Sequence, residues 1–102
     1  YFSEIYKNRN TEASKKISET ILVNNPKSSI KTIPLNLDSL NSVRDFIKVF
    51  LDNFDRLDGL INNAAVMNTS KSYTEDGFEL QFGTNFLGHF LLTESLLPLL
   101  KK

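Results

Sequence analysis

Leu60-Ile61-Asn62-Asn63-Ala64-Ala65 decides how this sequence is read. The stretch ends a short, nearly all-apolar run from Leu57 to Asn62, which suits a strand covered on both faces. Two amides and two small residues follow. In open α/β sheets, ligands sit beyond the carboxyl ends of strands. Small residues there let a ligand approach the backbone, and an amide can both donate and accept. A plain strand-end turn is the other reading, because Asn favours such positions.

Upstream, the sequence alternates short elements. Residues 2–7 read as the end of a strand on Phe2, Ile5 and Tyr6. Asn10 or Thr11 then offers an N-cap. Ala13, Ile17 and Ile21 form one helix stripe, stopped at Asn24-Asn25-Pro26. From Ser29 to Leu37, Ile33, Leu35 and Leu37 alternate as in a strand. Pro34 cannot donate to a ladder, so this strand belongs at a sheet edge. Asp38 or Ser39 can cap the next helix, whose Val43, Phe46, Ile47, Phe50, Leu51 and Phe54 line one face.

Downstream, a polar loop runs from Ala64 to Glu75. The stretch Asp76 to Leu100 predicts a long helix with Phe78, Phe82, Phe86 and Phe90 at i+4 spacing. Its broad apolar surface implies burial on two sides, with the Phe stripe in the core. Gly83 and Gly88 are each costly in a helix, by about 1 kcal/mol relative to Ala, and so imply close backbone approach. Pro98 should kink or end the helix. The order β-α-β-α-β-α predicts a parallel α/β sheet.

Composition narrows the function classes. The 102 residues are 40% hydrophobic and 24% charged, ordinary for one globular domain. Twelve basic and twelve acidic residues balance to zero, with no basic block to attract nucleic acid. Without Cys there is no disulfide framework or thiolate chemistry. One His and no carboxylate cluster at ligand spacing supply no metal site. The longest uncharged run, Leu80 to Thr93, contains Gln81, Asn85 and His89, and falls short of the roughly 18 apolar residues of a membrane span.

Asn62-Asn63-Ala64-Ala65-Val66 resembles the Asn-Asn-Ala-Gly motif of the short-chain dehydrogenase/reductase superfamily. Thr84-Asn85-Phe86-Leu87-Gly88-His89-Phe90 is similar to the Val-Asn-His-Leu-Gly-His-Phe segment of its retinol-dehydrogenase-like branch. Asp76-Gly77-Phe78-Glu79, between them, is typical of that branch. Leu35-Asn36-Leu37 resembles its Leu-Asp-Leu, and Asn8-Arg9-Asn10 its Cys-Arg-Asn. The similarity spans nearly the whole chain. It implies a Rossmann-like doubly wound parallel sheet, incomplete, with residues 1–102 as a partial NAD(P)-binding domain holding the second, third and fourth strands.

The resemblance also implies roles. Asn62 would hold the central strand at the adenosine side of the cofactor, and Ala64 and Ala65 would line the adenosine ribose pocket. Ala65 replaces the usual Gly. Asn36 stands where the family has an Asp that accepts from the adenine amino group; an Asn oxygen can accept too, without the charge. The backbone of Leu37 would sit beside the adenine. Arg9 matches the basic residue of NADP-preferring members, and a guanidinium suits a 2′-phosphate. A solvated Arg at a helix start is the plain alternative. Lys7 is a weaker candidate, and no Asp or Glu lies between Ile5 and Thr11, so NADP is expected over NAD. Asn85 falls at the Asn of the catalytic tetrad, which holds a water in a proton relay; a solvent-facing Asn is the alternative. His89 is expected to pack.

Other parts of the family's machinery are absent. None of Tyr1, Tyr6 and Tyr73 is followed four residues later by Lys. The glycines at 59, 77, 83 and 88 do not form a phosphate-cradling turn. The chain therefore reads as an internal fragment of an oxidoreductase that interconverts an alcohol and a carbonyl on a small, lipophilic substrate. Helix 76–100 would pair two copies. The competing reading is a non-catalytic truncated product acting as an interaction module. In the strand order 3-2-1-4-5-6, strand 57–62 would lack both neighbours, which predicts an unstable or molten chain with poor dinucleotide binding. Cytoplasm is only a default compartment, since the related branch is often tied to membranes.

Overall fold

The computed structural model describes residues 3–8 and 11–102, with side chains described at 12 and from 15 onward. These residues gather into two compact units, 1–35 and 36–102. In the first, strand β1 (Ser3–Asn8) leads to helix α1 (Thr11–Asn24) and strand β2 (Ser29–Pro34). The strands pair in parallel, from Ser3 opposite Ser29 to Asn8 opposite Pro34. This is the β-α-β start that the alternation predicts. Pro34 takes the last register position, where β2 ends, so the strand is shorter than the expected Ser29–Leu37. Among the described residues β2 pairs on one side only, with β1. Helix α1 packs on both strands, while Ile17 stays 39% exposed.

The second unit is built on helix α2 (Leu40–Asn53). Ser39 is its N-cap, with Oγ accepting from the Ser42 amide at 3.2 Å. Asp76 adds a carboxylate to the same helix end, accepting from the Leu40 amide at 2.7 Å. The Glu75 amide donates to the Asp38 carbonyl nearby at 3.0 Å, strapping the two loops together. The α2 stripe buries Val43, Phe46, Ile47 and Phe50; Leu51, expected with them, is exposed.

A last helical run begins at Leu80 rather than Asp76. Glu79 starts it, its carboxylate accepting from the amides of Gln81 and Phe82 at 2.9 and 3.0 Å. Those bonds hold the Glu79 carboxyl below its ordinary pKa. The run comprises a single turn α3 (Leu80–Phe82), a π-helical turn (Gly83–Leu87) and helix α4 (Gly88–Leu100). Pro98 lies inside α4, which continues to Leu100 before ending. Helix α4 packs against α2 and buries Leu92, Leu96 and Leu99.

Two expectations are overturned here. Leu57–Asn62 forms no hydrogen-bonded strand, and Ile61 is 81% exposed. An extended segment becomes a strand only through a neighbour's ladder, and the described residues supply none to this one. The Phe stripe is not core either: Phe78, Phe82, Phe86 and Phe90 are 41–55% exposed. The face of α4 carrying Leu92, Leu96 and Leu99 packs inward and leaves the Phe face outward. There Phe82, Phe86 and Phe90 stack on one another with centroids 5.4 and 6.0 Å apart.

Candidate functional site

From Asn85 to Thr93 the sequence places three polar residues, Asn85, His89 and Thr93, at i+4 intervals along an otherwise apolar helical stretch. That spacing puts them on one face, and the Asn62–Val66 loop docks there. Asn85 lies within the π-helical turn, where the Gly88 amide reaches back five residues to the Gly83 carbonyl. Turns of this kind are frequent at functional sites. The Asn85 amide makes a reciprocal pair with the Val66 backbone: Nδ2 donates to the Val66 carbonyl at 2.8 Å, and Oδ1 accepts from the Val66 amide at 2.9 Å. The side chain is half-buried, so it does not simply face solvent.

His89 is buried, at 7% exposure, and both ring nitrogens meet the loop. Nε2 lies 2.8 Å from the Ala64 carbonyl oxygen, and Nδ1 lies 3.2 Å from Asn62 Oδ1. At its other end, Asn62 Nδ2 donates to Thr93 Oγ1 at 2.9 Å. Asn62 is thus held by two residues of α4. Ala64 and Ala65 form an exposed corner of backbone and methyl groups.

One residue before His89, Gly88 brings in the Asn36–Leu37 segment. A methyl group built on Gly88 would stand 2.6 Å from the Leu37 carbonyl oxygen, so only glycine permits this approach. Gly83 makes an equally close approach to the Thr74 side chain. Leu37 is buried and Asn36 half-buried. The Asn36 amide donates to Ser42 Oγ at 2.8 Å, and its own side-chain oxygen accepts a long bond of 3.4 Å from the Asp38 amide.

Of the residues singled out in the sequence, Asn36, Leu37, Asn62, Ala64, Ala65 and Asn85 all lie in the second unit. Five consecutive helical residues, 85–89, touch both of the other segments, 36–37 and 62–66. Arg9 lies outside the described residues. Sequence reading missed the part played by His89, Thr93 and Val66, although the i+4 polar stripe signals the first two. The described residues hold no group of three metal-ligating side chains, and no described helix is long and apolar enough to cross a membrane.

A short chain dehydrogenase family model matches residues 3–102. Mouse retinol dehydrogenase 13 is 55% identical over 67 residues, which are 66% of this chain and 20% of that protein. The crystal structure of an uncharacterized protein from Mycobacterium paratuberculosis aligns with a TM-score of 0.77 at 39% identity, over 93% of this chain and 32% of that one. A Pseudomonas aeruginosa RhlG/NADP active-site complex aligns at 0.71 and 26% identity, over 95% of this chain and 38% of that one. The chain thus spans about a fifth of the retinol dehydrogenase it matches. Its fold is part of the doubly wound α/β arrangement of these neighbours. This chain belongs to the short-chain dehydrogenase/reductase superfamily of oxidoreductases, in its retinol-dehydrogenase-like branch.

Proposed function

We propose that these residues form the adenosine side of a nicotinamide-cofactor site, together with one proton-relay residue, in an NADP(H)-dependent oxidoreductase that interconverts a lipophilic alcohol and its carbonyl. The observation that carries this reading is the convergence on residues 85–89. Gly88 meets Leu37, His89 meets Asn62 and Ala64, and Asn85 meets Val66. The segments whose sequence suggests cofactor binding are held by one stretch of helix.

The residues fit an adenosine. Ala64 and Ala65 present an exposed corner with no side chain larger than methyl. Asn36 offers a side-chain oxygen with one lone pair beyond its long bond to Asp38. A dinucleotide bound here would supply the hydride donor or acceptor. Asn85 commits one amide hydrogen and one lone pair to Val66 and keeps one of each, enough to hold a relay water. The chain itself has no Tyr-x-x-x-Lys pair for proton transfer. NADP over NAD rests on Arg9 and on the lack of an acidic residue between Ile5 and Thr11. A lipophilic substrate, retinoid or steroid among the candidates, rests on the likeness to retinol dehydrogenase 13.

The test compares NADPH and NADH affinity in the protein and in Arg9→Met. Loss of a charge-assisted contact to the 2′-phosphate should weaken NADPH about tenfold or more and leave NADH nearly unchanged. Equal effects on both nucleotides would overturn the NADP assignment. No binding of either would overturn the cofactor reading.

The exposed, stacked Phe82, Phe86 and Phe90 favour a further element of this proposal, pairing of two copies through the helical run 80–100. The same ridge would serve a non-catalytic interaction module, the second reading. Phe86→Glu should convert a dimer to a monomer on native mass measurement; an unchanged mass would remove the ridge from the interface.

A further inference from the structure

We infer that His89 is a positioning residue that sets the direction of the Ala64 carbonyl, and with it the Ala64–Ala65 corner, as the last member of a one-way hydrogen-bond relay from Thr93. A carbonyl oxygen only accepts, so the ring nitrogen 2.8 Å from Ala64 O, Nε2, carries the proton. A ring whose single proton sits on Nε2 presents a lone pair at Nδ1, 3.2 Å from the Asn62 side chain. The two ends of an amide have the same shape, and their assignment follows from their partners. A lone pair at Nδ1 requires the Asn62 NH2 on that side, so the amide is turned over from the orientation in which Oδ1 faces His89 and Nδ2 donates to Thr93, and its oxygen then faces Thr93 Oγ1. A hydroxyl is as able to donate as to accept. The relay therefore runs from Thr93 hydroxyl to Asn62 oxygen, from Asn62 NH2 to His89 Nδ1, and from His89 Nε2 to Ala64 carbonyl. Each of the three bonds then pairs one donor with one acceptor.

The relay acts beside the Asn85–Val66 pair. Val66 is fixed from Asn85 and Ala64 from His89, so Ala65 is held from both sides while its methyl stays exposed. His89 need not touch a cofactor to matter, because it orients the backbone that would. That consequence rests on the cofactor reading above; the relay itself does not.

His89 is the only His in the chain, so 15N-histidine labelling reports a single ring. In the intact protein the ring should show the signature of a proton fixed on Nε2. A proton on Nδ1, or the averaged pattern of a freely exchanging ring, would overturn the proposal, and this measurement needs no variant to fold. Two substitutions then separate the ends of the ring. The amide of His89→Gln reaches the position of Nε2, and that of His89→Asn the position of Nδ1. His89→Gln should keep the Ala64 carbonyl 13C shift and the Val66 amide exchange rate within about twofold of the parent. His89→Asn should move the Ala64 shift and speed Val66 exchange about five- to tenfold, as the loss of one hydrogen bond implies. Equal behaviour of the two would overturn the proposal. Adding NADP+ to the parent separates the two claims: an intact ring signature with no response at Ala64 and Ala65 supports the relay and overturns the cofactor reading.

Discussion

Asn85 and Val66 are joined by two hydrogen bonds, with Nδ2 to the Val66 carbonyl at 2.8 Å and the Val66 amide to Oδ1 at 2.9 Å. An amide side chain thereby replaces a strand neighbour for one residue of the loop. The pairing works because Asn85 offers a donor and an acceptor side by side, which neither Asp nor Leu can do.

Replacing Asn85 separates the two bonds. Asn85→Ala removes both and should cost about 1–3 kcal/mol in denaturant unfolding. Asn85→Asp keeps the acceptor for the Val66 amide but sets a carboxylate oxygen against the Val66 carbonyl. It should leave Val66 amide exchange slow while still lowering stability. Fast Val66 exchange in the Asp variant would show that the donor, not the acceptor, holds the loop.

Gly88 gives a test in which the sign decides. Helix propensity alone makes Gly88→Ala stabilising by about 1 kcal/mol. The added methyl, however, would stand 2.6 Å from the Leu37 carbonyl oxygen, and such overpacking costs about 1–3 kcal/mol. The substitution should therefore lower the midpoint of thermal unfolding and shift the Leu37 resonances. Gly59→Ala, where nothing lies within 4 Å, should be close to neutral. A stabilised Gly88→Ala would mean that α4 does not seat on Leu37.

Much of this arrangement was legible in the sequence. Helix α2 was readable because its buried Val43, Phe46, Ile47 and Phe50 repeat locally. The close approach at Gly83 and Gly88 was readable because glycine inside a helix needs a reason. The contacts that assemble the site were less so. Asp76 caps a helix whose first residue is 36 positions away, and His89 reaches back 25 residues to Ala64. The i+4 spacing of Asn85, His89 and Thr93 marks one polar face, but not the loop that docks on it. Leu57–Asn62 has the composition of a strand, but composition supplies no ladder partner. The Phe repeat shows a helix face, and packing alone decides whether that face turns inward.

Glu79 makes the start of the last helical run pH-dependent. Its folded pKa is lowered by the amides of Gln81 and Phe82. The stabilising cap is therefore fully present above the ordinary glutamate value of 4.5, and it is lost as pH falls through the lowered folded value. Exchange at Gln81 and Phe82, corrected for the intrinsic pH effect, should rise across that acidic window. Glu79→Gln keeps an uncharged acceptor and should remove the pH dependence. A variant that retained it would assign the transition to another group.

The central claim is that α4 gathers Leu37, Ala64 and Ala65 into the adenosine side of a cofactor site. Chemical-shift mapping of the protein with NADP+, and in parallel with NAD+, tests it most directly. The account predicts that shifts concentrate at Asn36, Leu37, Ala64 and Ala65, at lower concentration of NADP+ than of NAD+. Shifts confined to other surfaces, such as α1 or the Phe ridge of the last helix, would contradict it.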